Sequence, residues 1–248
     1  LADAARPIAL QYFRVPDQAL ENKLDAGFDP VTIADKSIER EMSEILAKSR
    51  HDDGILGEAY ADVAGCTGLK WVLEPIDGTR AYISGTPTWG VLIGLDAGNG
   101  PVLGIVDQPF TGERFSGGFD AAHWTRAQES RAIKVRNCAS LSDAVLFSTF
   151  PEVGTTDEQA AFGRVSGAAK LTRYGTDCYA YALLAAGHID LVIEAGLNAY
   201  DIQGPMAVVK NAGGIVTNWQ GGPAHRGGQV IAAGDMAVHA QALALLRG

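Results

Sequence analysis

The sequence predicts a layered fold of the mixed α+β to α/β kind, with helices between and outside its sheets. Three observations predict it. Two segments of helical periodicity open the chain, short apolar runs separated by Gly, Pro and Asp turns follow from Lys70, and strand-like and helix-like segments alternate from Ala144 onward. At 248 residues, 47% of them hydrophobic, the chain has apolar material for one large or two closely packed domains.

The elements follow in chain order. Leu1, Ala5, Ile8, Ala9 and Tyr12 share one face of a helix over residues 1–13. Asn22 to Pro30 is polar and turn-prone, and reads either as a flap over a site or as a plain surface connection. A second helix starts near Thr32, where Thr32-Ile-Ala-Asp35 forms a capping-box-like pair, and buries Ile38, Met42, Ile45 and Leu46. Strands are predicted at Lys70–Leu73, Thr88–Leu95, Val102–Val106, Arg114–Ser116 and Ala132–Val135, with Ala97-Gly-Asn-Gly100 as a turn. The second half should hold a strand at Ala144–Ser148, helices near 156–169 and 177–187, a strand at Leu191–Glu194 and a helix from Tyr200 to Asn211. Strands near 214–218 and 229–233 and a helix from about 235 close it. With no internal repeat, low-complexity tract or flexible linker, the expected division is residues 1–135 and 136–248.

Composition excludes several function classes. A net charge of −9 disfavours binding to nucleic acid or to an anionic membrane, both of which need Lys and Arg to neutralise phosphates. No apolar run approaches the ~20 residues that span a bilayer, and the N-terminus lacks a leader pattern. The odd, scattered Cys66, Cys138 and Cys178 argue against a disulfide framework or a zinc site, and for a reducing, cytoplasmic setting. The start at Leu1 reads as a chain lacking its native beginning.

Chemistry concentrates at Trp71-Val-Leu-Glu-Pro-Ile-Asp-Gly-Thr-Arg80, an apolar run that delivers two carboxylates and then turns on Gly-Thr. Glu74 and Asp77 are hard oxygen ligands of the kind Mg²⁺ prefers, and Pro75 and Gly78 bend the backbone so that peptide groups also point inward. Glu58 follows Gly57 after the apolar Ile55-Leu56, and taken alone reads equally as a solvated loop acid. Asp201 stands at the start of a helix, where a cap is the simplest reading of a single Asp. Asp29 before Pro30 reads as a turn initiator, and Asp35 as part of its helix start.

In this order, Glu58 after Gly57, Glu74-Pro-Ile-Asp-Gly-Thr79, and Asp201 eleven residues before an Ala-Gly-Gly resemble the metal-site motifs of the inositol monophosphatase superfamily, Mg²⁺-dependent and lithium-sensitive phosphomonoesterases. Gly85-Thr-Pro-Thr-Trp89 followed by Gly-Val-Leu-Ile-Gly, the run Thr172 to Asp177, and Tyr12-Phe13-Arg14 are closer to its histidinol-phosphate phosphatase branch. The resemblance implies a five-layer αβαβα sandwich with the site between its halves, a homodimer, and two or three Mg²⁺ ions with Mn²⁺ as a substitute. Glu58, Glu74, Asp77 and the Ile76 carbonyl would hold the first ion, Glu74, Asp77 and Asp201 the second, with a looser third near Glu58. Asp29 would orient the Thr79 hydroxyl as a base relay, and the N–H groups of Gly78 and Thr79 would bind phosphate oxygens. Where the family motif opens with Asp, this chain has Glu74, whose extra methylene moves the carboxylate by on the order of 1 Å, enough to disturb a positioned reaction.

Glu194 matches in position a family carboxylate that meets the alcohol part of the substrate, and Asp177 adds a second acid unless it caps the helix beginning there. Two acids facing the leaving group favour a small phosphorylated metabolite with positive charge, such as histidinol phosphate. A polyol or sugar phosphate such as inositol 1-phosphate is the alternative. A third reading is a metal-binding regulatory protein whose site Glu74 has weakened. Trp89 reads as core before pocket wall, and His51, His123, His188, His225 and His239 are scattered without a catalytic assignment.

Overall fold

The computed structural model describes residues 1–15, 20–22 and 30–248. Helix α1 (Ala2–Tyr12) is followed by the antiparallel pair β1 (Leu20–Asn22) and β2 (Pro30–Thr32), which leads straight into α2 (Ile33–Ser49). The predicted capping box starts that helix: the Thr32 hydroxyl accepts from the Ala34 and Asp35 N–H groups, and Asp35 accepts from the Thr32 N–H at 2.7 Å.

The first sheet begins with β3 (Gly54–Gly57) parallel to β4 (Lys70–Asp77). It continues past the short helix α3 (Thr79–Ile83) as an antiparallel meander of β5 (Gly90–Asp96), β6 (Pro101–Gln108), β7 (Glu113–Gly118), β8 (Ala121–Arg126) and β9 (Glu129–Ala132). Val72 to Ile76 are buried without alternation, the signature of a sheet covered on both faces.

The second sheet has five strands: β10 (Val145–Ser148), β11 (Leu171–Tyr174), β12 (Leu191–Leu197), β13 (Ile215–Thr217) and β14 (Gly228–Ala233), in the order β11-β10-β12-β14-β13. β10 runs parallel to β11 and β12, and β14 runs antiparallel to both its neighbours. Its helices are α4 (Thr156–Ala168), α5 (Tyr179–Ala185), α6 (Ala199–Asn211) and α7 (Met236–Arg247).

Three apolar clusters define the layers. One joins α1 and α2 to the first sheet around Ile38, Met42, Leu73, Tyr82 and Trp89; the second packs α5 and α6 between the two sheets; the third joins the second sheet to α4 and α7. This is the five-layer αβαβα order that the resemblance implied. α6 lies so close to the first sheet that a Cβ on Gly104 would come within 2.3 Å of the Gly204 carbonyl oxygen, so two facing glycines set the layer spacing.

Most predicted elements stand, with boundaries moved by a few residues. Ala132–Val135 is corrected: the strands there are β8 and β9, joined through Ala127 at φ 52, and residues 133–135 lie beyond them. A turn made by a left-handed Ala carries none of the Asn-Gly or Gly-Gly chemistry that marks a hairpin. β3 and the exposed edge strand β11 are additions, each too short for a pattern to reveal. Ile45 is half-buried rather than core.

Candidate active site

Both sheets end at one cleft, a cavity of about 370 Å³ at the C-terminal ends of β4 and β12. Glu74 pairs with Leu92 and Asp77 with Gly90, so β4 carries one residue more than β5 across this interval, a β-bulge at Pro75. Proline has no N–H to give the ladder and is at home in such a bulge. In a regular strand, residues three apart face opposite ways. The bulge turns Glu74 and Asp77 toward the same cavity, together with Ile76. Gly78 then takes φ 78, and a Cβ there would come within 2.7 Å of the Asp177 side chain, so the motif's glycine is needed for both conformation and space. The Thr79 hydroxyl donates to the Ile76 carbonyl at 3.1 Å.

Glu58 follows β3, whose last residue Gly57 pairs with Leu73 next to Glu74. One carboxylate oxygen each from Asp35, Glu58 and Glu74 lie within 4.8 Å of one another. Glu58 is therefore not a solvated loop acid. Asp35 is the residue that sequence reasoning missed: it serves its helix start, as read, and also enters this acidic group. Asp29, the expected orienting residue, lies outside the described residues.

Asp201 caps its helix and also borders the cavity, accepting from the Asn198 N–H at 2.6 Å at the start of α6. Asp177 does not cap α5. It takes φ 46, which Asp tolerates, and its carboxylate accepts from the Thr88 hydroxyl at 2.8 Å at the cavity wall. Glu194 is buried and accepts from the Thr149 N–H at 2.7 Å and the Thr149 hydroxyl at 2.9 Å. Asp77 accepts from the Cys178 N–H at 2.7 Å. Arg80 stacks over Phe150 at the rim, 5.0 Å from the ring centroid. Trp89 is fully buried in the first core, and no histidine lines the cavity among the described residues.

Crowded carboxylates away from water hold their protons. Burial, then the charges of Glu58, Asp201 and Asp77, raises the Glu74 carboxyl well above the usual carboxylate range. Burial together with Asp177 and Asp201 does the same to Asp77. Burial pushes Asp35 up to about 7, with Glu58 adding to it, and Glu194 up to about 7 against the pull of the Thr149 hydrogen bonds. Asp177 is raised by burial and partly offset by Thr88.

These residues fit a hard divalent cation. Asp35 Oδ1 and Glu74 Oε2 are buried with no hydrogen-bond partner among the described residues, an arrangement costly for a carboxylate unless a cation or proton occupies it. The donors are all oxygen, which selects Mg²⁺ or Mn²⁺ over softer-ligand metals.

The model of the inositol monophosphatase family matches residues 1–247. The chain belongs to that family. An inositol monophosphatase from Zymomonas mobilis superposes with a TM-score of 0.87 at 39% identity, covering 100% of this chain and 94% of that one. The chloroplastic bifunctional phosphatase IMPL2 of Arabidopsis thaliana is 37% identical over 98% of this chain and 72% of its own length. A histidinol-phosphatase of Streptomyces coelicolor is 34% identical over 94% of this chain and 89% of its own. As an inositol monophosphatase family phosphatase, the chain is a phosphomonoester hydrolase of a metal-dependent family. No described helix is long and apolar enough to cross a membrane.

Proposed function

We propose that this family member is a Mg²⁺-dependent phosphatase that converts histidinol phosphate and water to histidinol and phosphate. The observation that carries the reading is the placement of Asp177 and Glu194 in the same cavity as Glu58, Glu74, Asp77 and Asp201. Asp177, which stands against Gly78, and Glu194 share this cavity with the acids proposed to hold the cations, and in this reading both face the leaving group. An ammonium or imidazolium offers donors that a carboxylate accepts strongly, and it relieves the cost of burying Glu194. The histidinol-phosphatase among the similar proteins supports the same choice.

Glu58, Glu74, Asp77, Asp201 and the Ile76 carbonyl would hold two or three Mg²⁺ ions, with Mn²⁺ as a substitute; Asp35 joins them as a neighbour. When bound, the metal supplies positive charge to the phosphoryl oxygens and acidifies water for attack. Thr79 hydrogen-bonds the attacking water in this reading. We propose Asp35 as its acidic partner because Asp35 lies beside Glu58 and Glu74; Asp29, the partner that the resemblance implied, lies outside the described residues. The Gly78 and Thr79 N–H groups, at the cavity wall, orient the phosphate. A homodimer acting in the cytoplasm on a small phosphorylated metabolite, without nucleic acid or membrane as partner, completes the proposal.

Inositol 1-phosphate is the second reading, favoured by the 39% identity to an inositol monophosphatase. Phosphate release from histidinol phosphate, inositol 1-phosphate and a 3′,5′-nucleotide bisphosphate, each with Mg²⁺ and with chelator, separates them. Preference for histidinol phosphate that vanishes with chelator is the expected result; preference for inositol 1-phosphate replaces the substrate assignment.

A further inference from the structure

Glu39 is an acid on the buried face of α2, one turn beyond Asp35, and it is 1% exposed. It is not one of the three acids that lie within 4.8 Å of one another, and both of its oxygens accept backbone donors. Oε2 accepts from the Glu58 N–H at 3.0 Å and the Ala59 N–H at 2.7 Å, and Oε1 from the Tyr60 N–H at 3.1 Å. Three successive amides of the segment that carries Glu58 are thus gathered onto one carboxylate of a helix. The fit is close: a Cβ on Gly57 would come within 1.9 Å of Glu39 Oε1. The Tyr60 hydroxyl adds an outer clasp, donating to the Lys36 carbonyl at 3.2 Å.

We infer that Glu39 is a positioning residue for the metal centre, fixing the backbone of Glu58 against α2 so that Glu58 meets Asp35 and Glu74 at ligating distance. α2 then acts as a bracket. Its first turn presents Asp35 to the acidic group, and its second turn holds the segment that presents Glu58, so two of the three carboxylates within 4.8 Å of one another are set by one rigid helix. Without Glu39, the amides of residues 58–60 turn to water and Glu58 swings away from Glu74. The inference rests on the reading of this group as a Mg²⁺ site.

The test is Mg²⁺ binding by titration calorimetry to the full chain and to E39Q, with amide hydrogen exchange at residues 58–60 and phosphate release across Mg²⁺ concentrations. E39Q keeps the size of the side chain but sets an NH₂ group against N–H donors. Its expected signature is Mg²⁺ affinity weaker by about 10- to 100-fold, faster exchange at residues 58–60, and turnover regained as Mg²⁺ is raised. Unchanged Mg²⁺ affinity in E39Q overturns the inference, even if the variant is less stable. Should E39Q fail to fold, G57A presses on the same contact from the segment's side, and its Mg²⁺ affinity must fall for the inference to stand. If the unsubstituted chain itself binds no Mg²⁺, the metal reading fails instead, and the two failures are told apart.

Discussion

The arms of the cleft, Lys70–Ile83 and Leu191–Asn211, are built alike and chemically opposed. Each is a strand that gains one residue over its neighbour, Glu74 to Asp77 against Leu92 to Gly90 in β4 and Glu194 to Leu197 against Val230 to Gly228 in β12, and each passes into a helix. In both, the bulge turns a carboxylate and the residue three positions on toward the cavity. The β4 arm leaves Glu74 Oε2 buried without a hydrogen-bond partner among the described residues, whereas Glu194 in the β12 arm is already held by Thr149. The helices differ as well: α3 is a single short turn entered through a left-handed glycine, and α6 runs for 13 residues with Asp201 folded back on the Asn198 N–H. One backbone device thus serves two environments, a buried carboxylate oxygen without a partner among the described residues and a buried carboxylate held by a threonine.

Metal removal should separate the arms most strongly. With Asp35 and Glu194 raised to about 7 and Glu74 and Asp77 raised well above the usual carboxylate range, the metal-free native state binds more protons than the unfolded chain from about pH 4 upward. Its stability therefore falls as pH rises through 7, where Asp35 and Glu194 lose their protons, and the Glu74 and Asp77 carboxyls add a loss of the same sign. Melting curves in chelator at pH 5 and pH 8 check this. Mg²⁺ should restore the pH 8 value through the β4 arm while leaving a smaller titration near 7 that belongs to Glu194 and disappears in Glu194→Gln. A metal-free protein more stable at pH 8 than at pH 5 would contradict the acidic centre.

Single substitutions sharpen the same contrast. Glu74→Gln removes the charge but not the volume, so turnover should fall by more than about 10²-fold at any Mg²⁺ concentration, while the metal-free protein becomes more stable at pH 8 because a buried acid is gone. Glu194→Gln keeps an oxygen for Thr149. It should lower kcat/KM for histidinol phosphate by about 10- to 100-fold, with little change for inositol 1-phosphate. Equal losses on the two substrates would remove Glu194 from leaving-group recognition. Gly78→Ala imposes left-handed strain of about 1–2 kcal/mol and presses on Asp177, so a loss of roughly tenfold in kcat/KM is expected.

What the sequence revealed follows from which residues act alone and which act through the fold. Glu58, Glu74, Asp77 and Asp201 could be singled out because their order resembles a family's motifs, although Glu58 and Asp201 taken alone read as a loop acid and a cap, and all four line one cavity. Asp35 was hidden because its capping bond to Thr32 accounts for it locally, and only the packing of α2 against β3 and β4 gives it a second task. Glu39 did leave a signal, an acid on the stripe formed by Ile38, Met42 and Leu46, where a buried charge demands a partner. The bulges at Pro75 and Gly196 were not readable as such, since a register shift is a property of two strands. The layers between the sheets, held by facing glycines at 104 and 204, likewise exist only once α6 has docked.

The smallest effect is expected from Glu74→Asp, and it decides whether the longer side chain completes the acidic group or limits it. Glu74 is 2% exposed, and its carboxylate already lies within ligating reach of Asp35 and Glu58, so the acidic group is assembled around the longer side chain. Shortening it draws the oxygens back by on the order of 1 Å and removes a buried methylene worth about 0.8 kcal/mol. The expected result is a modest fall, by a few-fold, in phosphate release together with weaker Mg²⁺ binding. If Glu74→Asp instead raises turnover well above that of the unsubstituted chain, the glutamate limits the rate of the site rather than completing it.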